Sequence, residues 1–476
     1  METYFSFPLQ WNLIFLLFHV IGILSGLNAI LRARTAEGAI AWFMALSLFP
    51  YLTLPIYWTI GRSKFYGYQK ARKSWITPYY EHAKEVCLSL EQEFPAPLSN
   101  YDLKGISKLT PLFTNPSNKI NLWFSGDELL DHLLLDIQKS QTYILLQTYI
   151  LKFGRFAEKI AESLKESADR GVHVYLIYDD MGTTFNKTLK NLFNHPNIHV
   201  SSFKSSRSFF NRWQINFRNH RKVVVLDGRI AYMGGINIGD EYLGEHENLH
   251  PWYDAHFRCE GGAALSLQLS FLEDWYWIHK KILRLKWQQN FIGGDVPTYI
   301  LPTGPADTYD TCALVYKNLI QQAKRSIRIA VPYFVPDNSM LEELTLAHLR
   351  GVEIEIYLSK HSDNPTVTYA SFFALNSLLK MGISIFVLQK GFNHGKFLTI
   401  DEEISYVGTA NFDNRSFRLN FELMALFVSR PINEQLQLKI TDFRKNSKPL
   451  KDYSLGQFSL LKRVAIQVAR LFAPIL

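Results

Sequence analysis

Two long apolar stretches, Thr3 to Leu31 and Gly38 to Gly61, contain no Asp, Glu, Lys or Arg. Each exceeds the roughly 20 apolar residues that cross a bilayer, so the pattern predicts a hairpin of two transmembrane spans. A signal peptide needs a basic start and a shorter apolar run, whereas here Glu2 precedes the first stretch and a second long one follows. A helical hairpin buried in a soluble domain is countered by Trp11, Trp42, Tyr51, Tyr57 and Trp58, several of which fall where interfacial aromatic residues sit. Pro50 and Pro55 are expected to kink the second span. The loop between the spans offers Arg32 and Arg34, and the stretch after them Arg62, Lys64, Lys70, Arg72 and Lys73. The larger basic cluster is retained on the cytoplasmic side, which places both ends of the hairpin, and the catalytic part of the chain, there.

Beyond a mixed, turn-rich connection ("EFPAPLSNYD"), strand-like and helix-like periods alternate. "TYILLQTYI" (142–150), "VHVYLIYDD" (172–180), "IHVSSFK" and the hairpin "KVVVLDGRIAYMG", turning at Asp227-Gly228, read as strands; "RFAEKIAESLKESADRG" (155–171) reads as an amphipathic helix stopped by Gly171. The pattern then recurs. "SIRIAVPYFV" (326–335), "VEIEIYLS" (352–359) and "ISIFVLQ" are strands, with helices "SMLEELTLAHLRG" and "TYASFFALNSLLKMG" between them. The likeness extends to letters, "ADRGVHVYLI" against "HLRGVEIEIY", so two domain-sized copies of one α/β unit lie in tandem. The expected organisation is a hairpin and basic juxtamembrane segment over 1–73, a lead-in over 74–118, a first α/β domain over 119–290 and a second over 291–476.

Composition agrees with two cores: 476 residues, 47% apolar, exceed one ordinary domain. The 51 Lys and Arg against 43 Asp and Glu suit anionic partners, lipid or nucleic acid, without choosing between them. Cys87, Cys259 and Cys312 form neither a disulfide framework nor a metal-ligand spacing and read as packing residues in a reducing compartment.

The chemistry sits in two matching strings. In "FRNHRKVVVLDGRIAYMGGIN" His220, Lys222 and Asp227 are followed by Gly234 and Asn237; in "FNHGKFLTIDEEISYVGTAN" His394, Lys396 and Asp401 are followed by Gly408 and Asn411. All intervals agree, and twin H-x-K-x4-D-x6-G-x-x-N strings in a duplicated chain are a specific signal where one alone is weak. Residues two apart on a strand share a face, so each histidine projects with its lysine. A titratable imidazole beside a fixed ammonium suits attack on phosphorus whose oxygens stay anionic. Should the copies pack face to face, one histidine supplies a nucleophile and the other a proton donor. Asp227 and Asp401 fall on the opposite face of a straight strand, which leaves a turn role and a direct chemical role equally open.

These strings resemble the signature of the phospholipase D superfamily. The hairpin, the "TYI" and "PYFVP" strand ends and "NFDNRSFRLNFE" (411–422) resemble bacterial cardiolipin synthases within it. The resemblance implies two phospholipase D-like α/β sandwich domains, each a mixed sheet flanked by helices, sharing one active site. It implies phosphatidyl transfer between two phosphatidylglycerol molecules through a phosphohistidine, giving cardiolipin and glycerol, in the bacterial inner membrane and with no cofactor or metal. It also implies that Lys222, Lys396, Asn237 and Asn411 hold phosphate oxygens, with Glu422 and, in the first copy, Asp254 orienting histidines; His220 is the expected nucleophile by analogy. The family's usual Gly-Ser-x-Asn is "GGIN" and "GTAN" here, so the first copy lacks that hydroxyl. A hydrolase of the same fold is the nearest alternative, because water competes with the alcohol for the intermediate. A nuclease fits the net charge less well than it conflicts with two membrane spans.

Two flanking features suit a lipid substrate. The segment 203–222 interleaves Phe203, Phe209, Phe210, Trp213 and Phe217 with Lys204, Arg207, Arg212 and Arg218, either at a headgroup interface or as a partly buried loop. The stretch 460–476 reads as an amphipathic helix that lies on the membrane or packs on the body.

Overall fold

The structure, a computed structural model, describes all residues except 1–8, 63, 74–84, 86–88, 90, 91, 93–100, 110–113, 116, 205–214, 247–248, 286, 288–293, 363 and 452–453. It divides into a unit of Met1–Gln69 and Ser205–Arg218 and a unit of Lys70–Lys204 and Asn219–Leu476.

In the first unit, Leu9–Arg32 is one helix of 24 residues, about 36 Å at 1.5 Å per residue. Its mean hydropathy reaches 2.2, and among the described residues it is the one helix long and apolar enough to cross a membrane. The expected second span is instead two helices, Ala36–Leu48 and Pro50–Ile60. Proline disfavours helical backbone in the residue before it, so Phe49 leaves the helix with φ −130° and ψ 54°, and Pro50 starts the next one. Pro55 remains inside its helix. A methyl group at Gly22 would meet the Leu46 carbonyl oxygen at 2.3 Å and one at Gly26 the Phe43 ring at 2.9 Å. Glycines four apart thus let two backbones touch, the packing that membrane helices use where lipid gives no hydrophobic drive to associate. Tyr57 donates to Asn28 Oδ1 at 3.0 Å and Trp58 to Ser25 Oγ at 3.2 Å, tying the third helix to the first. The described end of the aromatic loop belongs to this unit: Phe217 stacks on Phe65 at 5.1 Å, and Ile215 N donates to Thr59 O at 3.3 Å. Arg207, Phe209, Phe210, Arg212 and Trp213 lie outside the described residues.

The second unit holds both α/β copies. The first contributes β1 (Asn118–Trp123), β2 (Tyr143–Thr148), β3 (His173–Asp179), β4 (Ile198–Phe203), β5 (Val223–Leu226), β6 (Ile230–Gly234) and β7 (His256–Gly261). The second contributes β8 (Thr298–Thr303), β9 (Ser326–Ala330), β10 (Glu353–Ser359), β11 (Ser384–Leu388), β12 (Phe397–Ile400), β13 (Ile404–Gly408) and β14 (Asn420–Val428). Their sheets run β1-β7-β6-β5-β2-β3-β4 and β8-β14-β13-β12-β9-β10-β11, one order repeated position for position. In each, the last three strands are parallel and the remaining pairings antiparallel, the mixed sheet expected. The predicted strand 326–335 stops at Ala330 and resumes as Phe334–Val335, because Pro332 between them cannot donate to a ladder.

Apolar faces of Gly126–Lys139 and Arg155–Asp169 cover the first sheet, burying Leu130, Leu133, Phe156, Ile160 and Leu164. Thr311–Gln322 and Asn338–Leu349 do the same for the second through Val315, Leu319, Met340 and Leu344. Gly262–His279 is buried on nearly every side because it packs against strands of both sheets, as expected of a helix with no solvent face. The predicted boundary at 118 shifts at one place: Leu103 and Ile106 of the lead-in lie in the core of the second copy, and Thr114–Asn115 pairs with β8. Cys259 and Cys312 are buried free thiols; Cys87 lies outside the described residues.

Candidate active site

Each H-x-K string follows an asparagine that turns the chain. Asn219 Oδ1 accepts from Arg221 N at 3.3 Å and Asn393 Oδ1 from Gly395 N at 3.1 Å, a local turn that short amide side chains favour. The backbone N–H of the same asparagines is held at the ends of equivalent strands, by Asp179 Oδ2 on β3 at 2.8 Å and by Ser359 Oγ on β10 at 2.7 Å. The lysines then lead into β5 and β12.

The histidines themselves are fixed by the opposite copy. His220 N donates to Phe421 O at 2.9 Å, and His394 N donates to Tyr253 O at 2.7 Å. The next residue supplies a carboxylate in both cases. Glu422 Oε2 lies 2.9 Å from His220 Nδ1, and Asp254 Oδ2 lies 2.7 Å from His394 Nδ1. A short parallel bridge, Trp252–Tyr253 with Phe392–Asn393, seats the second of these crossings. Each predicted orienting acid lies against the histidine of the other copy.

Burial and charge set the protonation. Burial lowers the His220 pKa to about 4, against the opposing pull of Glu422 and with Lys222 and Lys396 adding to the depression. Burial by itself would raise the Glu422 carboxyl, but His220 and Lys222 outweigh it and hold it below its ordinary value. Asp254 behaves alike: burial raises, and Lys396 with His394 prevails to lower it. An ionised carboxylate at Nδ1 takes the N–H tautomer there and leaves a lone pair on Nε2 of a neutral His220. The Asp254 carboxylate only accepts, so His394 Nδ1 donates its proton to it, and Lys396 Nζ, 2.7 Å from the same nitrogen, acts there as a point charge.

Lys222 and Lys396 are both buried, and each donates to the carbonyl oxygen of its own histidine. Burial drives the Lys222 pKa well below its ordinary value, Glu422 opposes this and Lys396 deepens it. The two lysines, from different copies, thus bear on each other electrostatically across a buried region. Of the predicted phosphate ligands, Asn237 is engaged within the protein: Oδ1 accepts from Ile150 N at 3.1 Å and Nδ2 donates to Tyr242 OH at 2.5 Å. Asn411 differs: among the described residues, its buried Oδ1 meets no hydrogen-bond donor.

Asp227 and Asp401 face away from this chemistry. Asp227 Oδ1 accepts from Thr142 N at 2.8 Å and Tyr143 N at 2.9 Å, while Asp401 Oδ1 accepts from Arg325 N at 2.7 Å and Ser326 N at 2.9 Å. Both aspartates sit at positive φ, 53° and 51°, and bracket their hairpin to the start of β2 or β9. Of the two roles left open by the spacing, the turn role is the one this geometry fits.

Several site residues carried no recognisable pattern. Thr409 Oγ1 donates to Glu422 Oε2 at 2.5 Å, Ser416 Oγ to Oε1 at 2.9 Å and Asn420 Nδ2 to Oε1 at 3.2 Å. Arg221, the middle residue of the first H-x-K, is buried with Asp274 at 3.1 Å and reaches the carbonyls of Glu422 and Thr303. Rings of Tyr149 against His220 at 5.0 Å and of Tyr242 against His394 at 5.4 Å complete the walls. Among the described residues, no group of three or more His, Cys, Asp or Glu side chains is placed to hold a metal ion.

Comparison with known proteins bears on the same residues. The model of the family "Cardiolipin synthase, PLD-like domain" matches twice, over 133–260 and 316–443. The chain is 34% identical over 470 residues to cardiolipin synthase A of Pseudomonas putida (strain GB-1), and 35% identical over 470 residues to that of Pseudomonas fluorescens, covering 97% of each chain in both comparisons. In fold it is similar to phosphatidylserine synthase of Haemophilus influenzae, with a TM-score of 0.60 and 13% identity over 83% of this chain and 100% of that one. With the duplicated domains, the crossed histidine–carboxylate pairs and relatives matched nearly end to end, the chain belongs to the cardiolipin synthases, phosphatidyltransferases of the phospholipase D superfamily.

Proposed function

We propose that the protein joins two phosphatidylglycerol molecules into cardiolipin and glycerol. The observation that carries this reading is the pair of buried lysines, one from each copy, each beside a histidine whose Nδ1 is held by a carboxylate of the other copy. His220 Nε2 attacks phosphorus of the first lipid; the P–N bond forms as the P–O bond to glycerol breaks, and His394, entering as the imidazolium, gives its Nε2 proton to the departing alkoxide. His394 then takes the proton of the second lipid's glycerol hydroxyl, whose oxygen attacks phosphorus, breaking the P–N bond and freeing His220. Both steps run in either direction. Lys222, Lys396 and Asn411 hold the phosphate oxygens, and Glu422 and Asp254 fix the imidazole tautomers. The basic cluster after residue 61 supports a cytoplasmic active site and a multi-pass chain in the bacterial inner membrane. No cofactor enters this reaction.

The test supplies purified full-length protein with phosphatidylglycerol vesicles and follows lipid and glycerol. Cardiolipin with an equal amount of glycerol is expected. Phosphatidic acid as the main lipid product would assign a hydrolase instead.

A further inference from the structure

The helix Leu460–Leu471 is amphipathic, yet it is docked the wrong way round for a helix whose surroundings are water. It meets the body through Ile466 and Ala469, which are buried; Ala469 packs with Val335, Val367 and Ala370. Leu460, Leu461 and Leu471 are 75%, 84% and 77% exposed, and Val464, Val468 and Phe472 are also exposed. At about 100° per residue these six fall within one arc opposite Ile466 and Ala469. A surface helix ordinarily turns its broad apolar face inward; this one turns a narrow face inward and leaves the broad one exposed among the described residues.

Charge indicates what covers it. From Leu460 to Leu476 the charged residues are Lys462, Arg463 and Arg470, with no Asp or Glu. Arg470 lies over the Phe373 ring at 4.5 Å and Lys462 over the Phe458 ring at 4.2 Å, so two of the three cations are held by rings outside the apolar arc. Cations flanking exposed leucines form the pattern of a helix that lies in the headgroup region of an anionic bilayer. A line of contacts runs from its end to the active site. Arg415 N donates to Leu476 O at 2.8 Å, Arg415 Nη1 to Ile475 O at 3.1 Å and Asn414 Nδ2 to Ala473 O at 3.1 Å. Asn414 and Arg415 lie between Asn411 and Ser416, the latter bonded to Glu422 and to Asn411 N.

We propose that this helix seats on the surface of an anionic phospholipid bilayer, its leucine face at the headgroup and acyl boundary, and thereby holds the segment 411–416 at the lipid surface. The inference rests on the lipid-transfer reading for its purpose and on the helix's own exposed face for its existence. The experiment keeps these apart. The full chain carrying Cys87→Ser and either Leu461→Cys or Gln467→Cys is labelled with an environment-sensitive dye and reconstituted into phosphatidylcholine vesicles with or without phosphatidylglycerol. Nitroxide lipids labelled near the headgroup serve as quenchers. The expected result is a blue-shifted, quenched dye at 461, strongest with phosphatidylglycerol, and a weaker response at 467. A water-like dye at 461 in the anionic vesicles overturns the proposal, as does lipid-independent energy transfer between labelled chains, which would assign the face to a second copy. In parallel, Leu461→Ser with Leu471→Ser should slow transfer on vesicles roughly tenfold and leave it unchanged in mixed detergent micelles; equal rates on vesicles overturn the link to the site. If the unsubstituted protein transfers no phosphatidyl group, the function reading fails while the dye measurement still decides the helix.

Discussion

The two copies agree in sheet order, in the asparagine turn before each histidine and in the crossing that delivers a carboxylate to the other copy's ring, yet they seat that carboxylate differently. Glu422 is long and is gripped by Thr409, Ser416 and Asn420. Asp254 is one methylene shorter and lies closer to its own sheet: Oδ1 accepts from Ala255 N at 2.8 Å, and a methyl group at Gly235 would meet it at 2.0 Å. "GGIN" with Asp and "GTAN" with Glu are therefore matched pairs, and the missing hydroxyl of the first copy is the room its aspartate occupies. Two strand positions later the copies differ again. Burial lowers the His256 pKa to about 3 and its Nδ1 finds no partner among the described residues, whereas its counterpart Met424 accepts from Ala410 N at 3.3 Å. In the proposed reaction the histidine and lysine that both copies share are the groups that meet the phosphate, and what differs is how each copy seats the carboxylate behind the other's histidine.

The sharpest way to break this comparison is to remove one histidine at a time. His220→Ala and His394→Ala should each lower turnover roughly 10⁴-fold or more, because residues that act as a unit fail together; a variant retaining about half the rate would mean two independent sites. Next in size, Glu422→Gln and Asp254→Asn should each cost roughly 10²–10⁴ in kcat by disturbing the imidazole tautomer and its proton transfers. Steady-state assays also read the pH dependence. Protonating His220 as pH falls removes its lone pair, so with a pKa of about 4 the rate constant kcat/KM should hold from neutral pH down to near pH 5 and fall only below it. Glu422→Gln removes a charge that raises that pKa, so any remaining acid limb should move lower still. An acid limb near 6.5 in the unsubstituted enzyme would contradict the burial of His220.

Much of this was legible in the letters. The first long apolar helix, the tandem copies and the twin strings followed from periodicity and spacing, because those depend on local geometry. The crossing did not: Glu422 lies 11 residues beyond Asn411 and Asp254 lies 17 beyond Asn237, so no shared interval announces the pair, and nothing in one copy tells which histidine its acid will reach. The break at Phe49 depends on how one proline is resolved in a long apolar run, and the joining of Leu103 and Ile106 to the second core depends on the tertiary fold alone.

Smaller substitutions sharpen the matched pairs. Gly235→Thr should displace Asp254 and lower the rate roughly 10²-fold, and adding Asp254→Glu should recover part of it; no recovery would detach the two positions. Asp227→Asn or Asp401→Asn presents an amide N–H to backbone donors and should cost about 1–3 kcal/mol of stability, seen as a lowered midpoint of denaturation, with turnover per folded molecule little changed.

The most direct test of one shared site is to trap the covalent intermediate. Protein mixed with phosphatidylglycerol is quenched in alkali, where phosphohistidine survives, and its peptides are weighed by mass spectrometry. One phosphatidyl group per chain, on His220 and absent from His220→Ala, is the expected result. Adducts on both histidines of one chain, or on His394 alone, would contradict it.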